Sequence, residues 1–273
     1  MLDRLAALLR HYPVEARLIH AGRFCREQAY TEATGYLHVL RAGSIHVRSD
    51  VHDSWTVSEP TLIFYPAQAR HVFVSTDDCH TDLFCATVGL GQGELNPLVR
   101  ALPRVITRPL LAVPSISATL DLLIDEATGA HCGWQAAADR LFEIVLIQLL
   151  RHLMDEGQMH TGLLAGLSDP RLAKAITAVH ESPASPWGLE TMASAAGMSR
   201  ARFAAHFHAV VGEPPGQFLS RWRTGVACTL LRRGKPVSVV ANEVGYGSAT
   251  ALGRAFRAHL ACSPREWLGR QRV

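Results

Sequence analysis

The residues with the clearest chemical meaning lie in two stretches near the C-terminus that repeat one pattern. The first runs Leu189-Glu-Thr-Met-Ala193-Ser-Ala-Ala-Gly197-Met-Ser199-Arg-Ala-Arg-Phe203-Ala-Ala-His-Phe207. The second runs Val237-Ser-Val-Val-Ala241-Asn-Glu-Val-Gly245-Tyr-Gly-Ser248-Ala-Thr-Ala-Leu252-Gly-Arg-Ala-Phe256. Ala193 and Ala241 are 48 positions apart, as are Gly197 and Gly245, so the repeat marks a duplicated supersecondary unit. A small residue lets two helices cross closely. Four residues on, glycine supplies the positive-φ turn that ends the first helix. Ser199 and Ser248 are then placed to cap a second helix. Its apolar pairs, Phe203/Phe207 and Leu252/Phe256, face inward and leave the other face for a partner. This is the plan of a helix-turn-helix, whose second helix enters the DNA major groove.

Other chemistry is thinner. Six cysteines (25, 79, 85, 132, 228 and 262) show no C-x-x-C pairing and read as thiols in a reducing compartment. Cys25 stands between Arg23 and Arg26, cations that favour a thiolate. Cys85 sits in an apolar strand pattern and reads equally as a small buried hydrophobe. Cys228 and Cys262 fall at helix-packing positions and read as inert.

The elements that position these groups separate into two kinds. Residues 14–90 are short β-rich runs, among them Leu37-His38-Val39-Leu40 and Leu62-Ile63-Phe64-Tyr65, broken by Gly, Pro and Asp as in a small barrel or sandwich. The period then changes to helical over 116–128 and 134–154, with Gly157 as a stop. Residues 160–170 read as a linker, and everything after is helical in pattern, cut by Pro183, Pro186, Pro214-Pro215, Gly234 and Pro236. The 273 residues, 48% hydrophobic, exclude wholesale disorder. No apolar run approaches the ~20 residues of a membrane span. No signal peptide is legible, so a cytoplasmic protein is expected. The net charge of +3 conceals an asymmetry: residues 166–273 carry 14 basic against 6 acidic residues, a net of +8, and residues 1–165 a net of −5. The basic half asks for a polyanion.

The segment 169–273 resembles the DNA-binding domain of AraC/XylS-type transcription regulators. The resemblance rests on Asp169-Pro170-Arg171, on Pro215-x-x-Phe218-Leu219-x-x-Trp222-Arg223, on Gly245-Tyr246 and Arg254-Ala255-Phe256-Arg257, and on Cys262-Ser263-Pro264-Arg265-Glu266-Trp267. It implies two helix-turn-helix units joined by a long central helix, with recognition helices at about 199–210 and 248–259 reading successive major grooves. Ser199, Arg200, Arg202 and His206 are the polar candidates on the first, and Ser248, Thr250, Arg254 and Arg257 on the second. Each arginine can read guanine bidentately or hold a phosphate. Ala201, Ala204 and Ala205 offer methyls where family members often carry longer polar groups. Arg221, Arg223, Arg232, Arg233 and Lys235 are further phosphate candidates, with a structural role the alternative for Arg223.

The N-terminal half resembles the cupin-type sensor domain of one AraC subfamily, which includes reactive-chlorine-sensing regulators. It carries Leu37-His38-Val39-Leu40-x-x-Gly43 and Leu62-Ile63-Phe64-Tyr65-Pro66-x-x-x-x-His71, followed at the junction by His180-x-x-Pro183 and Trp187. Ser58-Glu59-Pro60 departs from the usual Gly-Asp turn. His38 and His71 would then lie on adjacent strands and, with Cys85, could form a soft site for zinc or another divalent metal. The alternatives are core histidines, or a redox trigger at Cys25 and Cys85.

The expected protein is therefore α+β with two domains. A cupin-like sensor and dimerisation barrel with two trailing helices spans 1–165, and an all-α domain with two helix-turn-helix units spans 166–273. The expected function is a sequence-specific transcription regulator, with activation and repression both open: a homodimer binding double-stranded DNA and contacting RNA polymerase, with no membrane partner. Its barrel senses a small molecule, metal or oxidant. A cupin enzyme would need a His-x-His, Glu and His set, which the sequence lacks, so no catalytic activity is expected. A non-specific architectural DNA binder would not need paired recognition helices.

Overall fold

The computed structural model describes residues 3–77, 80–91, 96–129, 131–157 and 161–271. Cys79 and the first residue of the expected linker, 160, lie outside them. In chain order the elements are α1 (Ala6–His11), β1 (Glu15–Arg23), β2 (Glu27–Tyr30), β3 (Gly35–Ala42), β4 (Ile45–Ser49), β5 (Trp55–Val57), β6 (Thr61–Tyr65), β7 (His71–Ser75), β8 (Asp82–Gly89), α2 (Pro97–Ala101), β9 (Ile106–Pro109), α3 (Ser117–Gly129) and α4 (Trp134–Asp155). They continue with α5 (Leu163–Ser168), α6 (Leu172–Glu181), α7 (Leu189–Ala195), α8 (Arg200–Val211), α9 (Pro215–Arg232), α10 (Val237–Glu243), α11 (Ala249–Leu260) and α12 (Pro264–Arg270). They form two compact units. One holds Val14–Gly93 and Leu102–Glu156; the other holds Met1–Pro13, Glu94–Ala101 and Gly157–Val273.

The first unit is built on two antiparallel sheets, ordered β1-β8-β3-β6-β9 and β2-β7-β4-β5. Alternation along each strand sends one set of side chains into a shared core containing Tyr30, Tyr36, Leu40, Ile45, Val47, Ile63, Tyr65, Phe73 and Cys85. The central strand β3 is buried on both faces, because Leu37 and Val39 are covered as completely as Tyr36 and His38. The expected helices over 116–128 and 134–154 are α3 and α4. The buried stripe of α4 (Leu141, Phe142, Val145, Leu146, Leu149, Leu150, Leu153) follows the 3- and 4-residue steps of an amphipathic helix. Where the β1–β8 register shifts between Leu18 and His20, backbone groups lose their ladder partners. α4 supplies replacements: Asp139 Oδ1 accepts from the Leu18 amide at 2.7 Å, and Gln135 Nε2 donates to the Leu18 carbonyl at 3.2 Å.

The second unit is helical. Its central helix α9 buries Phe218, Leu219, Trp222, Val226 and Leu231. The expected linker over 160–170 is corrected by α5, whose Leu163, Leu164, Ala165, Gly166 and Leu167 are all buried. The cause is close packing: a Cβ on Gly166 would meet Ile176 Cδ1 at 2.7 Å and Val211 Cγ2 at 2.9 Å. α1 also belongs to this unit. Arg4 Nη1 donates to the Leu167 carbonyl at 2.8 Å, and the His11 and Tyr12 rings lie 5.5 and 5.6 Å from that of Trp222. Among the described residues no helix is long and apolar enough to cross a membrane.

Candidate nucleic-acid interface and buried sensor core

Both repeats fold by the same backbone device. After α7, Gly197 takes φ +63°, its amide bonds to Ser194 O at 2.9 Å, and the Met198 amide reaches back to Ala193 O at 2.9 Å. After α10, Gly245 takes φ +83°, its amide bonds to Asn242 O at 3.0 Å, and the Tyr246 amide reaches back to Ala241 O at 2.8 Å. These turns close the helix ends and redirect the chain into α8 and α11. The inner faces of those helices bury Phe203, Phe207 and Val211 in one, and Leu252, Ala255 and Phe256 in the other.

The outer faces carry the residues singled out in the sequence. Ser199, Arg200, Arg202, Ser248, Thr250, Arg254 and Arg257 are all exposed. The expected recognition spans of about 199–210 and 248–259 coincide with α8 and α11 to within one residue. Ser248 caps its helix, accepting from the Ala251 amide at 3.2 Å. Ser199 has the extended backbone of a capping residue, but its side chain accepts no bond. His206 is drawn to a partner inside the unit: its Nε2 lies 2.7 Å from Asp169 Oδ2. Asp169 also caps α6, accepting from the Arg171 and Leu172 amides at 2.9 Å. Burial alone would raise the Asp169 carboxyl, yet the Leu172 amide, His206 and the Arg171 amide together hold it below its ordinary value.

The secondary phosphate candidates divide. Arg223 is structural: its guanidinium donates to Pro183 O at 2.8 Å and Ser185 O at 2.7 Å, and stands over the Tyr246 ring. Arg221 pairs with Glu213 at 2.8 Å and Lys235 with Glu243 at 2.7 Å, while Arg232 covers the Trp267 ring. Arg233 is exposed. Sequence spacing could not separate these roles, because each partner comes from another turn or helix.

In the barrel, His38 and His71 do meet, but the expectation of adjacent strands is corrected: β3 and β7 belong to different sheets, and the two Nε2 atoms lie 2.9 Å apart across the core with both rings buried. The tautomers follow from the partners. A carbonyl only accepts, so His71 Nδ1–H donates to Ala69 O at 2.8 Å and His71 Nε2 is the acceptor. His38 Nε2–H therefore donates to it, and His38 Nδ1 is left buried without a partner. The His71 ring is stacked between Tyr65 at 4.0 Å and Tyr30 at 4.8 Å. Burial holds both imidazoles neutral, lowering His71 to about 4 and His38 well below its ordinary range, the latter reinforced by His71.

Cys85 stands opposite His38 in the β3–β8 register, but its Sγ pairs with the Tyr30 hydroxyl at 3.3 Å. The three donors expected for a metal thus do not assemble. Among the described residues no group of three or more His, Cys, Asp or Glu side chains could hold an ion. A cation between the imidazoles would also force the His38 proton onto Nδ1, which has no acceptor. The Cys25–Cys85 pairing is corrected as well. Cys85 lies opposite His20, five positions along the chain from Cys25, which at ~3.3 Å per extended residue is well beyond disulfide reach. Burial pushes the Cys85 thiol up to about 12, and Cys25 is exposed. The sequence reading missed Tyr30, whose ring and hydroxyl join the histidines to the thiol. Only its pairing in β2 beside His71 would have revealed it.

A family model described as Cupin matches residues 3–155, and one described as Helix-turn-helix domain matches residues 192–270. The chain is 33% identical over 264 residues to the HTH-type transcriptional regulator AlkR of Acinetobacter baylyi, a match covering 84% of this chain and 86% of that one. It is 26% identical to the RCS-specific HTH-type transcriptional activator RclR of Escherichia coli K12, covering 86% and 84%. An AraC-like transcription regulator of Streptomyces antibioticus is 42% identical over 132 residues, a match that takes in 48% of this chain and 44% of its relative, so the chain spans less than half of that protein. With a cupin barrel followed by a duplicated helix-turn-helix, the chain belongs to the AraC family of transcription regulators.

Proposed function

We propose that this chain is a sequence-specific regulator that binds double-stranded DNA through α8 and α11. One observation carries the reading. The two helices are set by the same glycine turn, each begins beside exposed polar and arginine side chains, and both lie in the half of the sequence with net charge +8. Arg200, Arg202, Arg254 and Arg257 supply the forked donors suited to guanine or phosphate, and Ser199, Ser248 and Thr250 supply hydroxyls at the helix starts. His206 acts by fixing α8 to Asp169 rather than by reading bases. The protein works as an activator and a homodimer, in the manner that the name of the Escherichia coli relative states for activation. Leu122 on α3 and Ile144 on α4, exposed apolar side chains, are candidates for the dimer face.

The barrel is the sensor. A small molecule that prefers one arrangement of the barrel shifts the regulator by its differential affinity for the two states. Exposed Cys25 keeps an oxidant open as the signal.

The test is a gel-shift series with a promoter fragment from the protein's own locus. Tight binding at low salt is expected, with affinity falling steeply as salt rises, by about 0.9 in the log–log slope for each phosphate contact. Each Arg→Ala change at a phosphate contact lowers that slope by about one. Salt-insensitive or absent binding would sink the reading.

A further inference from the structure

The two candidate recognition helices are equivalent in their cores and unlike on their outer faces. Phe203 and Phe207 of α8, like Leu252 and Phe256 of α11, are fully buried, and each residue is 49 positions from its counterpart. The same offset matches Ala201 with Thr250, Ala204 with Gly253 and Ala205 with Arg254. An α-helix turns about 100° per residue. Ala205 and Arg254 therefore point about 180° away from the midpoint of the buried pair, and Ala201 and Thr250 lie about one turn nearer the helix start. Ala201, Ala205, Thr250 and Arg254 are all exposed. A helix laid in the major groove turns such positions, close to its N-terminus and opposite its core, towards the base edges.

On α8 that front is methyl groups. Alanine side chains carry no hydrogen-bonding atom, and the one base feature a methyl matches in the major groove is the methyl of thymine. The arginines of α8 stand aside: Arg200 and Arg202 lie about 100° to either side of Ala201, towards the phosphate strands that wall the groove. On α11 the front carries the Arg254 guanidinium, which has no hydrogen-bond or ion-pair partner among the described residues. Arg221 and Arg223, by contrast, are engaged with Glu213 and with backbone carbonyls. An arginine so placed matches guanine, whose O6 and N7 accept both arms of the fork, and Thr250 adds a hydroxyl and a methyl one turn earlier. Arg257 lies in the third turn and shares a surface groove with Ser238, Ser263 and Arg265, a set suited to a phosphate.

We propose that the two units divide the work: Arg254, with Thr250, is the specificity-determining residue and reads a guanine, whereas α8 holds the neighbouring groove through phosphate contacts from Arg200 and Arg202. This rests on the reading that α8 and α11 bind double-stranded DNA and assigns base discrimination within it to the second helix-turn-helix.

The experiment selects binding sites for the full chain from a pool of random-sequence DNA duplexes, then measures the affinity of variants for the selected site. One block containing a fixed guanine should be enriched, and the groove one turn away should show thymine preference at most. Arg254→Ala should weaken the selected site at least about fivefold, the lower bound for one bidentate base contact, and should bind guanine and adenine at that position alike. Arg200→Ala and Arg202→Ala should weaken every sequence to a similar degree, lower the salt slope by about one each and leave the selected motif unchanged. Ala205→Arg, which gives α8 the front of α11, should add a second guanine-containing block about 10 base pairs from the first. Guanine fixed in both blocks by the unaltered chain, an unchanged motif in Arg254→Ala, an altered motif in Arg200→Ala or Arg202→Ala, or no new block in Ala205→Arg would each overturn the division of work and leave sequence-specific binding standing. A pool in which no sequence is enriched would overturn the sequence-specific reading itself.

Discussion

The hydroxyl of Tyr12 lies where a methyl group on Gly225 would have to go. Tyr12 follows α1 and is buried against Trp222, while Gly225 is in the middle of α9. An interior helical glycine normally costs about 1 kcal/mol relative to alanine, so Gly225→Ala would stabilise an isolated α9. Here the opposite is expected. Gly225→Ala should destabilise the helical unit by about 1–3 kcal/mol, the usual cost of overpacking. Tyr12→Phe in the same chain should return a substantial part of it, because the hydroxyl is the atom in the way. Urea melts of the two single variants and the double variant measure the coupling. Strict additivity would show that α1 does not occupy this place in solution.

The two helix-turn-helix units are alike in their turns and unlike in their caps. Ser248→Ala removes a side-chain acceptor from the start of α11 and should cost about 1 kcal/mol. Ser199→Ala removes a hydroxyl that caps nothing and should be close to neutral for stability. Thermal melts compare the pair. Equal losses would mean that Ser199 caps after all.

Burial keeps His180 neutral, lowering it to about 3, with the nearby His11 adding to the shift. In the unfolded chain an imidazole titrates near 6.5. Between those values the unfolded chain takes up a proton that the folded one refuses, so stability falls as pH falls below about 6.5 and levels off only near 3. His71, lowered to about 4, acts in the same direction in the barrel. Urea unfolding at pH 7.0 and 5.5 should show a loss of about 1 kcal/mol attributable to His180. His180→Phe, which keeps a ring stacked on Trp222, should lose correspondingly less. An unchanged pH slope in that variant would show that His180 is not held neutral.

Thiol reactivity should follow burial. Cys25 and Cys132 are exposed, whereas Cys85, Cys228 and Cys262 are buried, with burial raising Cys85 and Cys228 to about 12. In a Cys79→Ser background, two thiols should react with a disulfide reagent at once and three only on unfolding. Rapid reaction of a third would show that one of the three buried thiols is within reach of the reagent, and its loss in Cys85→Ser would identify Cys85.

Local patterns were the legible part of this molecule. The Ala-x-x-x-Gly spacing encodes a helix end, because the glycine must adopt a conformation other residues avoid; Gly197 and Gly245 do so in both repeats. The alternation that placed His38 and His71 in a barrel also held, and it brought their rings together. What spacing could not reveal was the partner of each polar group. His206 turned to Asp169, 37 positions earlier, and Cys85 to Tyr30, 55 positions earlier. α5 was hidden for a related reason: six residues with little helical pattern are ordered by what they pack on. The place of Tyr12 against α9 is a contact between opposite ends of the chain, and no periodicity records it.

The helical unit takes residues 3–13 and 96–101 from before the barrel is complete and the rest from after it. A protease cutting at Gly157 would therefore not release that unit whole. Tyr12 and its seat on α9 would fall on different fragments, joined only by packing, and the cleaved protein would behave as a nicked complex. The C-terminal piece alone would lack a side chain from its own core.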